Sequence, residues 1–440
     1  MTRLRTLAPW IGLAAGLVLV ALAILVPWIL GQSVHVNSFP PVHADWAPRV
    51  GPGTIPAVLL AAIGIRFAVD AAARAPWRYL LLGSAIVGLA WMTSLATVDG
   101  LDGIGRILDT QYEYLRTARA VTDFGATLHE YVSRIPLDSA HNWPVHIAGH
   151  PPGALLFFVA LVHLGLGSGL AAGFTLILLA ATTPVAVLLT VRRLGAEDLA
   201  RRAAPFLVFG SAAIWMAVSA DALFGAVAAW GLCLLAHAAT ARGRAAIAGL
   251  SVAAGLTLGY CVMLSYGLPL LAILAGAVLL VARSWRPLPW AVGAAVAVVG
   301  AFALGGFAWW QAYPVLVDRY WAGIASRRQY SYWVWADLAA LVFSAGPIVG
   351  ASLAVAGRAV RPARSVLQRP VVVLVLAAAL TIAIADLSGM SKGEVERIWL
   401  PFVPWLLLGT ALLPERWRRG GLAVQVGWAL VVQHLLFTGW

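Results

Sequence analysis

Long apolar runs separated by short polar turns dominate the chain. They lie at 8–31, 54–73, 77–97, 151–167, 170–191, 203–218, 221–239, 245–263, 266–283, 289–310, 334–357, 370–386, 397–413 and 421–437. A bilayer core needs about 20 apolar residues per spanning helix. The pattern therefore predicts an all-α, polytopic membrane helix bundle of about 13–14 helices. The first run exceeds the apolar stretch of about 7–15 residues in a signal peptide, so it reads as a span. One long polar stretch, 98–150, interrupts the pattern. It divides the chain into a three-helix membrane segment (1–97), an external loop (98–150) and a C-terminal bundle (151–440).

Within the loop, apolar residues recur at Leu108, Tyr112, Leu115, Ala118, Val121, Phe124, Leu128 and Tyr131. Steps of three or four make one helical stripe. Asp109, Glu113, Arg116 and Arg119 fall off it, which predicts an amphipathic helix lying on the membrane surface. Such a helix can serve as a brace alone. Pro151 and Pro152 suit the first turn of the next helix, where a missing N–H costs nothing.

Composition sharpens this picture. Of 440 residues, 61% are hydrophobic and 11% charged, against about 25% charged in soluble domains. A soluble globular protein is excluded. The net charge is +12, which could raise nucleic acid as a partner, but arginine placement explains it better. Arg192, Arg193, Arg201, Arg202, Arg242, Arg244, Arg283, Arg286, Arg358, Arg361, Arg364, Arg369, Arg416, Arg418 and Arg419 fall in alternate loops. The positive-inside rule makes those loops cytoplasmic. Arg3, Arg5, Arg74 and Arg78 likewise put the N-terminus inside and 32–53 and 98–150 outside. The expected location is the plasma (inner) membrane. The two halves disagree by one crossing unless 151–167 is a partial helix, the preferred solution. Cys233 and Cys261 both lie in apolar runs, excluding a disulfide framework or cysteine zinc site.

The acids are the informative minority. Seven of 18 fall within 98–150: Asp99, Asp102, Asp109, Glu113, Asp123, Glu130 and Asp138. His129, His141, His146 and His150 lie there too. Asp138, His141 and His146 are candidate ligands for a divalent metal, since imidazole with carboxylate suits Zn or Mn. Their spacing matches no tight metal motif, and no cofactor is otherwise indicated. Asp221, Asp70, Asp337 and Asp386 sit within or at the ends of spans, where a carboxylate is either functional or a marker of the helix end. The stretch 313–333 mixes Arg319, Arg327 and Arg328 with Tyr320, Trp321, Tyr330, Tyr332 and Trp333. It reads as an interfacial aromatic belt or as an external cover over a bound substrate.

Asp109-Thr110-Gln111-Tyr112-Glu113-Tyr114, followed by His150-Pro151-Pro152-Gly153, resembles the GT-C superfamily of integral membrane glycosyltransferases. Its members use polyprenyl- or dolichyl-phosphate sugars and include protein O-mannosyltransferases and aminoarabinose transferases. VRRLGAEDLARRAA (191–204), SADALFGAVAAW (from Ser219), AGLSVAAGLTLGYCVMLSYGLP (from Ala248) and GEVERIWLPFVPWLLL (from Gly393) are similar to later family segments. The likeness spans about 98–413. Thr110 departs from it, standing where the family often has a second acid, and an extra helical pair precedes the family's first span.

The resemblance implies a GT-C-like fold and transfer of a sugar from a polyprenyl-phosphate donor to an acceptor hydroxyl on the outer face. The acceptor would be a glycan, lipid or protein. A carboxylate would take the acceptor's proton, and fixed donors would meet the leaving phosphate. Asp109 is the expected general base. Asp99 and Asp102 are alternatives, though Asp-Gly twice is also turn chemistry. His150 and Arg397 are expected at the phosphate, with Tyr112 and Lys392 behind them. An Arg-rich, Lys-poor composition implies a bacterial, polyprenyl carrier. A secondary transporter or flippase would need polar groups deep in several spans and usually a repeat. Neither is evident. A catalytically degenerate scaffold is the other alternative.

Overall fold

The computed structural model describes residues 2–359 and 368–438. Arg361 and Arg364 lie outside the described residues. The chain folds as an all-α, multi-pass membrane bundle. Among the described residues, seven helices are long and apolar enough to span a bilayer. They are Leu7–Leu30, Thr54–Arg74, Trp77–Asp99, Gly169–Arg193, Ala220–Thr240, Arg244–Leu264 and Arg369–Leu387. Two bent pairs, Leu288–Leu304 with Trp309–Ala322 (75°) and Tyr330–Ala345 with Ile348–Ala359 (105°), bring the number up to nine if each pair counts as one broken span. Shorter apolar helices occupy Pro152–His163, Leu268–Ala282 and Val403–Leu412. The long spans are thus fewer than the apolar runs, because several runs fold as broken or short helices. Asp45–Trp46 and Leu436–Phe437 form a two-residue antiparallel ladder.

The helix Ala220–Thr240 fixes two ends of the molecule. Its 21 residues extend about 30 Å. At its start, Asp221 meets Arg397. At its finish, Thr240 Oγ1 accepts from Arg193 Nε at 2.7 Å. Other ion pairs and hydrogen bonds join the second end: Arg201 donates to the carbonyls of Ala72 and Ala75, and Arg419 pairs with Asp70 at 2.8 Å. Arg74, Arg193, Arg201 and Arg419 therefore belong to one arginine end, and the loops around Asp221 and Arg397 to the opposite loop end.

The crossing mismatch has a structural answer. Pro152–His163 has 12 residues, about 18 Å, too short for a core of about 30 Å. It also starts and finishes against the same segment. His150 Nδ1 lies 2.8 Å from the Tyr114 hydroxyl before the helix. After it, the His163 ring lies 5.5 Å from that of Phe124, and Arg119 donates to the Gly167 carbonyl at 2.7 and 2.9 Å. Both ends of the helix therefore lie against the same loop segment, and one long apolar helix follows, Gly169–Arg193.

The surface helix expected from the 108–131 stripe is not continuous. The segment divides into Ile107–Asp109, Tyr114–Ala120, Phe124–His129 and Val132–Arg134. Thr110 and Glu113 are extended (ψ 163° and 179°). Asp123 caps the next helix, its side chain accepting from the Ala126 N–H at 2.9 Å. A capping carboxylate competes with helix continuation. The apolar spacing survives because Leu108, Leu115, Ala118 and Tyr131 are all buried, although they come from three separate segments. The aromatic stretch 313–333, which lies between apolar runs and is expected as an external loop, is not one. It is largely helical, and Arg319 ties it to 98–150 through the carbonyls of Ile135 and Trp143 at 2.7 and 3.0 Å.

Candidate functional site

The break at Thr110–Glu113 decides which acid goes where. In a continuous helix Asp109 and Glu113 would share a face, one turn apart. Instead they part. Asp109 stays half-exposed and pairs with Arg119 at 2.6 Å. Arg119 in turn grips the Gly167 carbonyl, and a side chain at Gly169 would strike Asp109 Oδ2. Asp109 thus docks the loop onto the start of the Gly169–Arg193 span.

Glu113 turns inward and is buried. Its Oε1 lies 2.7 Å from His146 Nδ1. His146 Nε2 lies 3.3 Å from Arg397 Nη2, and Arg397 Nη1 donates to Asp221 Oδ2 at 2.7 Å. Arg397 Nη2 also donates to Glu394 Oε2 at 3.1 Å. A guanidinium has only donors, so His146 Nε2 accepts from Arg397. The imidazole proton therefore sits on Nδ1 and is donated to Glu113. One chain of hydrogen bonds runs from Glu113 through His146 to Arg397 and its two further carboxylates.

Four segments supply this cluster. Glu113 comes from the extended residue before Tyr114–Ala120, and His146 from the short helix Val145–Ala148. Asp221 starts a span, and Glu394–Arg397 belongs to the turn after Arg369–Leu387. Gly393 and Glu394 both have positive φ, 81° and 62°. Left-handed backbone costs a non-glycine residue about 1 kcal/mol or more, so the Glu394 carboxylate is held in place by its partners. Arg328 is the second cation, 3.5 Å from Glu394 Oε1.

The electrostatics follow from this crowding. Burial opposes ionisation of Glu394, but Arg397 and Arg328 outweigh it and bring its pKa down to about 2. Burial opposes ionisation of Glu113 likewise, and His146 with Arg397 outweighs it, so its pKa lies below the usual range. Arg397 moves the other way: burial disfavours its charge, yet Asp221 and Glu394 raise its pKa. Glu396 forms no salt bridge among the described residues, and the pull of Arg397 on it is the weaker effect. Burial lifts it to about 7, opposed by the His43 N–H, which donates to Oε1 at 3.0 Å.

His150 adjoins the cluster and, like Glu394, is partly open. Its Nδ1 donates to the His146 carbonyl at 2.7 Å, and the ring packs on Phe224. Its Nε2 makes no hydrogen bond among the described residues. Burial pushes its pKa down to about 4, opposed by Asp221. The ring is thus neutral at pH 7, with Nε2 a proton acceptor. That is a different capacity from the donor expected at a phosphate.

The other expected site residues are scattered. Lys392 is buried, donating to the Arg328 carbonyl at 2.8 Å and lying over the Trp321 ring. Tyr112 is exposed. Asp99 forms a two-bond pair with Arg49 at 2.6 and 3.2 Å, and Asp102 is exposed at the start of a short helix. Asp138 and His141 are exposed, and no group of three His, Cys, Asp or Glu suited to a metal occurs among the described residues. His146 serves Glu113 and Arg397 instead. The loop acid linked to Arg397, through His146, is Glu113, which the apolar stripe places on the polar side of the expected helix, and the distance to Asp221 and Glu394 along the chain hides their meeting. No family model, curated protein or solved structure matches the chain.

Proposed function

We propose that the chain is a membrane glycosyltransferase, moving a sugar from a polyprenyl-phosphate donor to an acceptor hydroxyl at the loop end. One observation carries the reading. Three acids from distant segments gather around Arg397, Asp221 and Glu394 directly and Glu113 through His146, beside the His150 imidazole, whose Nε2 is open.

The chemistry needs a proton acceptor and a cation for the leaving phosphate. His150 Nε2 takes the acceptor's hydroxyl proton as its oxygen bonds to the anomeric carbon. The bond from that carbon to the phosphate oxygen breaks, and its electron pair leaves with the phosphate. Asp221 steadies the imidazolium that forms. Glu394 is the most open carboxylate of the cluster, 22% exposed, and its ion pairs with Arg397 and Arg328 are the longest there. A substrate phosphate competes for that position, since guanidinium binds phosphate as it binds carboxylate.

A second reading is a non-catalytic clamp. It is favoured by the way protein groups already meet Arg397: Asp221, Glu394 and His146. The experiment is turnover of a panel of radiolabelled polyprenyl-phosphate sugars by the purified chain. The expected result is release of sugar from at least one donor, lowered about 10²–10⁴-fold in His150→Gln. The kcat/KM of the wild type should rise with pH through about 4. Asp109→Asn should keep its turnover per folded molecule. Turnover lost in Asp109→Asn and kept in His150→Gln would return the base to Asp109. No turnover with any donor would leave the clamp.

A further inference from the structure

A second built feature lies about one helix length from the Arg397 cluster, at the arginine end. A cleft of about 370 Å³ opens where Ala220–Thr240 finishes and Leu271–Ala282 turns toward Leu288–Leu304. Thr240, Arg283, Ser284, Trp285 and Arg286 line it, with two alanines and no carboxylate. Arg283 takes a left-handed backbone (φ 53°) as the cap of its helix. Arg283 and Arg286 are exposed and make no hydrogen bond, ion pair or ring contact among the described residues.

Topology alone asks for positive charge here. It does not ask for two unpartnered guanidiniums on one cleft. Nor are both needed to neutralise the carboxyl end of Ala220–Thr240, because Arg193 already donates to the Thr240 side chain. Most other arginines at this end have partners: Arg192 and Arg201 bind Glu197, and Arg419 binds Asp70.

We propose that this cleft binds the headgroup of an anionic phospholipid. The two guanidiniums would hold the phosphate, with the Ser284 hydroxyl within the same cleft. The adjoining helix says why the ligand is a lipid rather than a free anion. Leu288–Leu304 has Ala291 as its one buried residue, and Leu288, Trp290, Val292 and Val296 are exposed along it. Acyl chains running down this helix start at the cleft, and Trp285 and Trp290 mark the interfacial level. The missing carboxylate says why the lipid is anionic. The ammonium of a choline or ethanolamine headgroup would find no partner, whereas phosphatidylglycerol adds none. The assignment is independent of the reaction proposed at the loop end.

The test uses the full chain reconstituted in vesicles with photoactivatable phosphatidylglycerol or phosphatidylcholine. Labelled peptides are mapped by mass spectrometry. The expected result is labelling of residues 280–290 by phosphatidylglycerol at least about fivefold above phosphatidylcholine. It should fall about tenfold in Arg283→Gln with Arg286→Gln. Arg202→Gln with Arg242→Gln removes the same charge outside the cleft lining and should leave it unchanged. Equal labelling by the two lipids overturns the proposal, and so does labelling that survives loss of Arg283 and Arg286. Displacement of the label by millimolar inorganic phosphate would reassign the cleft to a soluble anion. If the paired variant does not fold, the comparison of the two lipids on the wild type decides.

Discussion

Glu396 and Glu394 sit two residues apart and behave in opposite ways. Glu394 faces two arginines, and its pKa falls to about 2. Glu396 is fully buried with Oε2 lacking a hydrogen-bond partner among the described residues, and its pKa rises to about 7. The folded chain therefore binds the Glu396 proton more tightly than the unfolded chain does. Its contribution is fully present below the ordinary value of 4.5. It is lost as pH rises toward about 7. Glu396→Gln keeps the acceptor for the His43 N–H and removes the ionisation. The expected outcome is a variant matching the wild type in thermal midpoint at pH 4.5 and exceeding it by a growing margin up to pH 8. Melting in detergent across that range checks it, and a constant margin would show that Glu396 is already ionised. Arg397 presents the reverse case. Removing a buried charge that serves several acids costs about 3–5 kcal/mol. Arg397→Met should accordingly lower the midpoint strongly at pH 7 and less near pH 4, where the acids left behind can take protons.

Helices pack here through small residues, and the apolar code alone does not reveal which ones. Gly255 and Gly259 are one turn apart on Arg244–Leu264. A Cβ on Gly255 would collide with the Ala291 carbonyl, and one on Gly259 would lie 2.7 Å from the Ala295 Cα. Their spacing is the small-xxx-small pattern of closely packed membrane helices. Gly12 and Gly350 approach in the same way across another helix pair. Gly255→Leu should force Arg244–Leu264 from Leu288–Leu304 and cost about 1–3 kcal/mol or more, read as a lower thermal midpoint. Gly249→Leu on the same helix meets open space and should leave the midpoint near that of the wild type. Spans were legible because twenty apolar residues have few other uses. The 108–131 stripe misled for a physical reason: burial of Leu108, Leu115, Ala118 and Tyr131 preserves helical spacing even when caps and extended residues divide the helix. That division sends Glu113 inward and Asp109 outward, so the chemistry of the candidate site was legible in residue types and not in their grouping. Asp221 carried a usable signal, being an acid at the head of an apolar span.

Two ends about 30 Å apart, one built from loops and one from arginines, organise the whole molecule. Arginine sorting anticipated the second end and left one crossing unexplained. Pro152–His163 removes the discrepancy by starting and finishing on the loop end. This makes the topology testable with three single cysteines. Cys233 and Cys261 are buried, so an impermeant maleimide added to sealed vesicles should react poorly with the native chain. Ala140→Cys in the loop, Leu166→Cys just after the short helix, and Gly243→Cys at the arginine end all replace exposed residues. If the short helix returns to the side it left, Ala140→Cys and Leu166→Cys are labelled from one face of the vesicle and Gly243→Cys from the other. If the helix instead crosses, Leu166→Cys sides with Gly243→Cys. In that case His150 and Gly167 would lie on opposite faces, and Arg119 could not hold the Gly167 carbonyl while Tyr114 holds His150. The labelling pattern thus tests the same contacts that place His150 beside the Arg397 cluster.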